Sequence, residues 1–189
     1  MDESYVKAVQ AYAREGRDYL FHNLGNEHAL VIFVAIFENA MGKIRIAANN
    51  LWNKEVVNTT EYQDALRMFL ERKDTSLDIL LSSFPKEDIQ NEKDINIYKT
   101  ILTSPAYREG RVRVRLGEGK CFKSGEQPVH FCTADGKMYR FEDDINLRRA
   151  TCNFGDSDTT AEMDKSFDEV FANQEEIKLE EVFKGAGDC

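Results

Sequence analysis

The stretch that decides the fold reads Val129-His130-Phe131-Cys132-Thr133-Ala134-Asp135-Gly136-Lys137-Met138-Tyr139-Arg140-Phe141-Glu142, with a short alternating run on either side of Asp135-Gly136. An Asp-Gly dipeptide accepts the positive φ angles of a tight hairpin turn. A two-residue turn places His130 opposite Phe141 across the hairpin, on the same sheet face as Cys132 and Tyr139. The sequence therefore predicts a β-hairpin in which His130 is a core imidazole among largely apolar neighbours.

Composition places the chain among ordinary globular domains. Its 189 residues are 42% hydrophobic and 31% charged, enough to bury one core without metals or disulfides. The 34 acidic and 25 basic residues give a net charge of −9. This balance disfavours a general nucleic-acid binder, because phosphate neutralisation needs a basic surface. The four cysteines show no C-x-x-C spacing, so we expect reduced thiols and a cytoplasmic location.

Neither a membrane span nor a signal peptide is predicted. The longest wholly apolar run, residues 29–37, is too short to cross a bilayer. The first four residues include two acidic ones, Asp2 and Glu3, and lack the basic flank and the apolar stretch of a signal peptide. We therefore expect no membrane partner.

Helical and strand-like segments alternate along the first two thirds of the chain. Apolar spacing predicts helices over 3–15, 28–41, the residues after Asn58-Thr59, and 94–103. Strands are predicted at 43–48, 77–81, 111–116 and 149–154, and a last helix follows a cap at Asp156 or Ser157. Early alternation followed by consecutive strands predicts an α/β fold with a mixed β-sheet flanked by helices.

The order of these elements resembles one half of the phospholipase D superfamily. The resemblance covers about residues 28–172, including the hairpin and a strand ending near Asn153, where the family carries a Gly-Ser-x-Asn element. It implies a phospholipase D-like topology and three regions. These are an N-terminal helix and connection (1–27), a phospholipase D-like α/β domain (28–173) and an acidic C-terminal tail (174–189).

The catalytic signature of that family, H-x-K-x-x-x-x-D, is degenerate in this sequence. Anchored on Asp135, the pattern places Pro128 where the nucleophilic histidine belongs and His130 where the lysine belongs. Anchored on His130, it replaces the lysine with Cys132 and the aspartate with Lys137. Neither alignment restores the residues that the chemistry needs.

The leading hypothesis is a catalytically inactive domain that acts as a protein-interaction or regulatory module in a prokaryotic cytoplasm. The resemblance implies a histidine that attacks phosphorus, a second histidine from a symmetric half or subunit, and lysines that hold the phosphate oxygens. Because these residues are missing, we expect no activity and no cofactor. The acidic balance favours a protein partner or a homodimer, and so do the apolar tail residues Ile177, Leu179, Val182 and Phe183.

The competing hypothesis is a divergent phosphodiesterase or nuclease with a homodimeric active site. Its candidate catalytic residues are His130, Asp135 and Lys137. Alternation along 111–116 puts Arg111, Arg113 and Arg115 on one strand face, where guanidinium groups suit phosphate or carboxylate. The alternative explanation for these arginines is a solvated strand face paired with acidic residues at 142–144.

Two other candidate sites are rejected on spacing. His130, Cys132 and Cys152 offer three metal ligands without a fourth, so we expect buried cysteines and no metal. The Gly-rich segment 117–120 lacks the spacing of a phosphate-binding P-loop.

Overall fold

The computed structural model describes residues 2–91, 96–117 and 122–184, which form a mixed eight-stranded sheet with helices on both faces. The helices are α1 (Glu3–Glu15), α2 (Gly25–Asn39), α3 (Thr60–Glu71), α4 (Lys86–Asn91), α5 (Ile97–Thr103), α6 (Pro105–Arg108), α7 (Ser157–Phe171) and α8 (Leu179–Lys184). The strands are β1 (Phe21–Asn23), β2 (Lys43–Ala48), β3 (Ser76–Leu81), β4 (Val112–Leu116), β5 (Lys123–Ser124), β6 (Gln127–Pro128), β7 (His130–Ala134), β8 (Met138–Asp144), β9 (Arg149–Asn153) and β10 (Glu175–Glu176).

The strand order confirms the predicted α/β class. The sheet runs β1-β9-β8-β7-β2-β3-β4-β10, and β5 pairs with β6 in a separate hairpin. Strands β2, β3 and β4 are parallel, whereas β7 lies antiparallel to β2. Cys121, Cys189, positions 94–95 of the predicted helix and residues 118–120 of the Gly-rich segment lie outside the described residues.

The two faces of the sheet bury different cores. Side chains such as Ile44, Leu77 and Val112 belong to the larger core, which also takes in residues of α1, α2 and α3. On the opposite face, Phe131 packs with Phe167 and Phe171 of α7 in a smaller cluster. A sheet covered on both faces explains the dense apolar content of its parallel strands. None of the helices in the described ranges is long and apolar enough to span a membrane.

The Asp135-Gly136 hairpin forms, but its predicted pairing is wrong. Both residues have positive φ, 54° and 65°, as the dipeptide predicts. Ala134 pairs with Met138, so Lys137 is an extra residue inside the turn. His130 consequently faces Glu142 and not Phe141. Because side chains alternate along a strand, this one added residue moves Tyr139 and Phe141 to the other face of the sheet.

Segments at both ends of the chain join the same sheet. The region predicted as an N-terminal helix and connection, 1–27, also contains β1, which pairs with β9, and the start of α2. The acidic tail contributes β10, which pairs with β4. Leu179 and Val182 are buried in the larger core, with Ile177 and Phe183 packed against it. The apolar residues of the tail therefore cover the chain's own core and are not free to dock a partner.

Candidate functional site

A cavity of about 590 Å³ opens where β2 ends and β7 begins. Because these strands are antiparallel, His130 at the start of β7 lies beside residues 48–49 at the end of β2. Phe33 of α2, the loop 49–57 and Arg148 in the β8–β9 turn complete the walls. In open α/β sheets ligands bind outside the carboxyl ends of parallel strands, and this cavity has that position.

Both ring nitrogens of His130 are engaged by the protein. Nδ1 lies 3.0 Å from Oε2 of Glu142, and the backbone N–H of Asn49 donates to Nε2 over 3.1 Å. A backbone N–H can only donate, so Nε2 is the acceptor and Nδ1 carries the proton. The protein therefore fixes the tautomer of the imidazole from both sides.

Glu142 is a buried carboxylate that joins three side chains. Its Oε1 accepts a hydrogen bond from Nη2 of Arg140 over 3.2 Å, and Nη1 of Arg148 lies 3.7 Å from its Oε2. Burial raises the pKa of Glu142, but the hydrogen bond from His130 and the charge interactions with Arg140, His130 and Arg148 outweigh that effect and hold the pKa below its usual value. Arg140 is itself buried, with its guanidinium over the ring of Phe33.

The loop after β2 is fixed by hydrogen bonds of its asparagines. Oδ1 of Asn49 accepts from the hydroxyls of Ser82 and Ser83, at 2.8 and 3.0 Å. The carbonyl of Asn50 accepts from the Tyr98 hydroxyl. These bonds hold the Asn49 amide at His130 and form a polar wall of the cavity.

Comparison with known proteins bears on the fold. No family model matches the chain, and no curated protein matches its sequence. Among solved structures, TrmBL2, an archaeal chromatin protein with a novel mode of DNA binding, superposes with a TM-score of 0.60 at 14% identity, over 93% of this chain and 60% of TrmBL2. Nuc from Salmonella typhimurium, a phospholipase D family member, superposes with a TM-score of 0.55 at 9% sequence identity, over 86% of this chain and 99% of Nuc. NucT from Helicobacter pylori superposes with a TM-score of 0.55 at 12% sequence identity, over 84% of this chain and 100% of NucT.

The chain has the phospholipase D-like fold. At these identities the likeness shows the fold alone. The chain spans 60% of the length of TrmBL2, and nearly all of Nuc and NucT.

The phospholipase D-like signature is not restored in three dimensions. Pro128, in the place of the nucleophilic histidine, lies in the separate β5–β6 hairpin opposite Lys123. His130, in the place of the lysine, is the histidine that lines the cavity. Its side chain is 17% exposed, so the prediction of a core imidazole among apolar residues is wrong. The cause is the extra turn residue, which brings Arg140 and Glu142 to its face of the sheet.

Asp135 and Lys137 lie at the other end of the hairpin from His130. Five residues of strand, at about 3.3 Å each, separate Asp135 from His130 by roughly 16 Å. The carboxylate of Asp135 accepts hydrogen bonds from the backbone N–H groups of Met41 and Gly42, at 2.7 and 2.8 Å, and so fixes the α2–β2 connection. Lys137 is exposed in the turn. The structure therefore does not bring the three candidate catalytic residues together.

The three candidate anion-binding arginines lie on the sheet face opposite the cavity, and each has a partner within the chain. Arg113 donates two hydrogen bonds of 2.7 Å to Asp78, which is buried on the neighbouring strand. Arg115 donates to the carbonyls of residues 171 and 172, and Arg111 donates to Glu109 and to a backbone carbonyl. The predicted pairing of these arginines with acidic residues at 142–144 is wrong, because β8 lies several strands away from β4 in the sheet.

No group of three or more His, Cys, Asp and Glu side chains within the described ranges could hold a metal ion. Cys132 and Cys152 are buried thiols, and burial raises the pKa of each to about 12. Such thiols are chemically inert at neutral pH.

Sequence reasoning missed four residues of the site: Asn49, Arg140, Glu142 and Arg148. The sequence does carry one signal for this site: Arg140 and Glu142 alternate along β8 and so share one face of the strand. Two charged side chains on one strand face rarely point into an apolar core, so this face indicates a polar site.

Proposed function

We propose that this chain is a catalytically inactive phospholipase D-like domain that acts as a regulatory module in a bacterial or archaeal cytoplasm. One observation carries the proposal: the backbone N–H of Asn49 donates to Nε2 of His130. A histidine attacks phosphorus with the lone pair of an unprotonated ring nitrogen. That lone pair is occupied here, and Nδ1 donates to Glu142.

The charges around His130 support the same proposal. The guanidinium of Arg140 is buried and bonded to Glu142, so it does not take the place of the lysine that would hold phosphate oxygens. A fold does not carry an activity without its site residues. TrmBL2 binds DNA, whereas the charge of this chain disfavours a nucleic-acid partner. Its net charge is −9, and its arginine-rich strand is engaged internally.

The test is hydrolysis of bis(p-nitrophenyl) phosphate by the wild-type protein and by His130→Ala. We expect both to release p-nitrophenol at the rate of buffer alone. The substitution removes the acceptor of the Asn49 N–H and one partner of Glu142, and we expect it to cost about 1–3 kcal/mol of stability. Lys137→Ala, at an exposed position in the turn of the same hairpin, is the control and should change neither quantity. Turnover by the wild type that His130→Ala abolishes would overturn the proposal.

We further propose that the partner of the module is a second copy of this chain, bound at β1. This strand is one edge of the eight-stranded sheet in the described residues, so its outer N–H and C=O groups lack a neighbouring strand. Large apolar side chains are exposed around it: Tyr19, Leu20, Leu24 and Leu147. An edge strand can pair antiparallel with its own copy about a two-fold axis, which makes a closed dimer.

Light scattering of the native protein tests this dimer. We expect a mass twice that of the chain for the wild type and a monomer for the double variant Leu24→Lys, Leu147→Lys, which puts charge at the apolar edge. Met68→Lys is the matched control, because Met68 is equally exposed, at 57%, but lies on α3. A monomeric wild type, or equal loss of dimer in the control, would contradict the proposal.

A further inference from the structure

The wall of the cavity beside His130 carries a local excess of positive charge. The guanidinium groups of Arg140 and Arg148 both lie against the buried carboxylate of Glu142. Two positive charges share one negative charge there, although the whole chain carries −9. A positive cavity on a negative protein concentrates anions, because field lines are focused in a concave, low-dielectric surface.

Arg148 is the lining group best placed to meet a ligand. Its Nη1 lies 3.7 Å from Glu142, beyond hydrogen-bond distance, and its side chain is 30% exposed. Oxygens of Glu142 are already bonded to His130 and Arg140. No hydrogen bond joins the guanidinium of Arg148 to another described residue, so its donors remain for an incoming acceptor. A guanidinium matches the geometry of carboxylate and phosphate oxygens.

The remaining walls suit a small organic molecule. The cavity volume of about 590 Å³ falls inside the range of small-molecule sites. Phe33 and Trp52 supply apolar surface, and Trp52 is held by stacking on Tyr98 with ring centroids 6.2 Å apart. Two lining residues, Leu51 and Arg148, have positive φ, 49° and 54°, which is uncommon outside glycine. Strained backbone of this kind concentrates at ligand sites.

We infer that this cavity binds a small organic anion. The guanidinium of Arg148 holds the carboxylate or phosphate of the ligand, and the body of the ligand lies along Trp52. The inference rests on the proposed function and deepens it. The anion is the effector of a regulatory module, and it is bound and released without reacting. Arg140 and Glu142 act as positioning residues, because they set the charge and the shape of the wall from buried positions.

The fluorescence of Trp52 provides a direct test, because it is the single tryptophan of the chain. The full chain is titrated with citrate, with inorganic phosphate and with neutral glucose at constant ionic strength. We expect a saturable change with citrate or phosphate and none with glucose. The anion that binds with the higher affinity shows whether the cavity recognises a carboxylate or a phosphate. Arg148→Gln should weaken that binding by roughly tenfold or more, because it removes one charge-assisted hydrogen-bond contact with the anion.

Arg149→Gln is the matched control, because Arg149 is the next residue and pairs with Asp143 on the surface. It should leave the affinity unchanged, and circular dichroism checks the fold of both variants. The inference is overturned if neither anion gives a saturable change, if glucose binds as well as the anions, or if the two variants weaken binding equally. Failure of the proposed function is separate: it would appear as p-nitrophenol release, whatever the fluorescence titration shows.

Discussion

Replacing Glu142 with alanine is expected to lower the free energy of unfolding by about 3–5 kcal/mol. The substitution leaves the guanidinium of Arg140 buried without its carboxylate, and it removes the partner of His130 Nδ1. The side chains of Arg140 and Glu142 are only 3% and 4% exposed, so the contact that is lost is one between largely desolvated groups. Urea unfolding followed by circular dichroism measures the effect.

Asp143→Ala is the matched control for Glu142, since it removes a neighbouring carboxylate from the same strand. Asp143 pairs with Arg149 where both side chains are about half exposed, so we expect a loss below about 1 kcal/mol. The double variant Arg140→Met, Glu142→Leu should recover much of the stability, because it replaces the buried pair by apolar groups of similar size. Equal losses for Glu142→Ala and Asp143→Ala would show that the buried network is not formed.

The pH dependence of stability follows from the same carboxylate. The pKa of Glu142 is lowered in the folded protein from an ordinary value of 4.5, so the folded state favours the ionised form. Its contribution is complete above pH 4.5 and is lost as the pH falls through the lowered folded value. The stability difference between the wild type and Glu142→Gln should therefore shrink on acidification below that pH.

Gly155→Ala is expected to destabilise the protein by about 3 kcal/mol, because there is no room for a methyl group. A Cβ at this position would lie 2.5 Å from the backbone nitrogen of Asp18 and 2.7 Å from the carbonyl carbon of Arg17, and it would also meet the carbonyl oxygen of Gly16. These are backbone atoms, which cannot rotate away as side chains do. The contact joins the end of β9 to the turn between α1 and β1.

Gly117→Ala serves as the control, since a Cβ there would meet only side-chain atoms of Leu80 and Gln174, at 3.4 Å. We expect its melting temperature to stay close to that of the wild type, because such a substitution changes stability by less than about 1 kcal/mol. A Gly155→Ala variant as stable as Gly117→Ala would contradict the close approach of the two backbone segments.

The sequence predicts the sheet well because periodicity and turn chemistry are local signals. Strand 43–48 has its predicted limits, and Thr59 and Asp156 accept capping hydrogen bonds at the starts of α3 and α7. These features depend only on residues within a few positions of one another. Two short edge strands, β1 and β10, were not predicted, since two or three residues carry no periodic pattern.

The site could not be predicted because it depends on loop length and on distant pairing. Asp-Gly specifies a tight turn but not whether Lys137 belongs to the turn or to β8, and that choice decides which side chains face His130. The partner of Arg113, Asp78, lies 35 positions away and is adjacent only through the parallel pairing of β3 and β4. Likewise, Asn49 meets His130 across 81 positions.

The backbone N–H of Asn49 occupies the lone pair of His130 Nε2, and this hydrogen bond decides whether the ring could act as a nucleophile. Nuclear magnetic resonance of ¹⁵N-labelled protein tests it directly through the scalar coupling across a hydrogen bond. At neutral pH we predict a coupling between the Asn49 backbone nitrogen and His130 Nε2, with the ring proton on Nδ1. An uncoupled Nε2, together with an Asn49 amide that exchanges as fast as a solvent-exposed one, would leave the nucleophilic lone pair free and contradict the account.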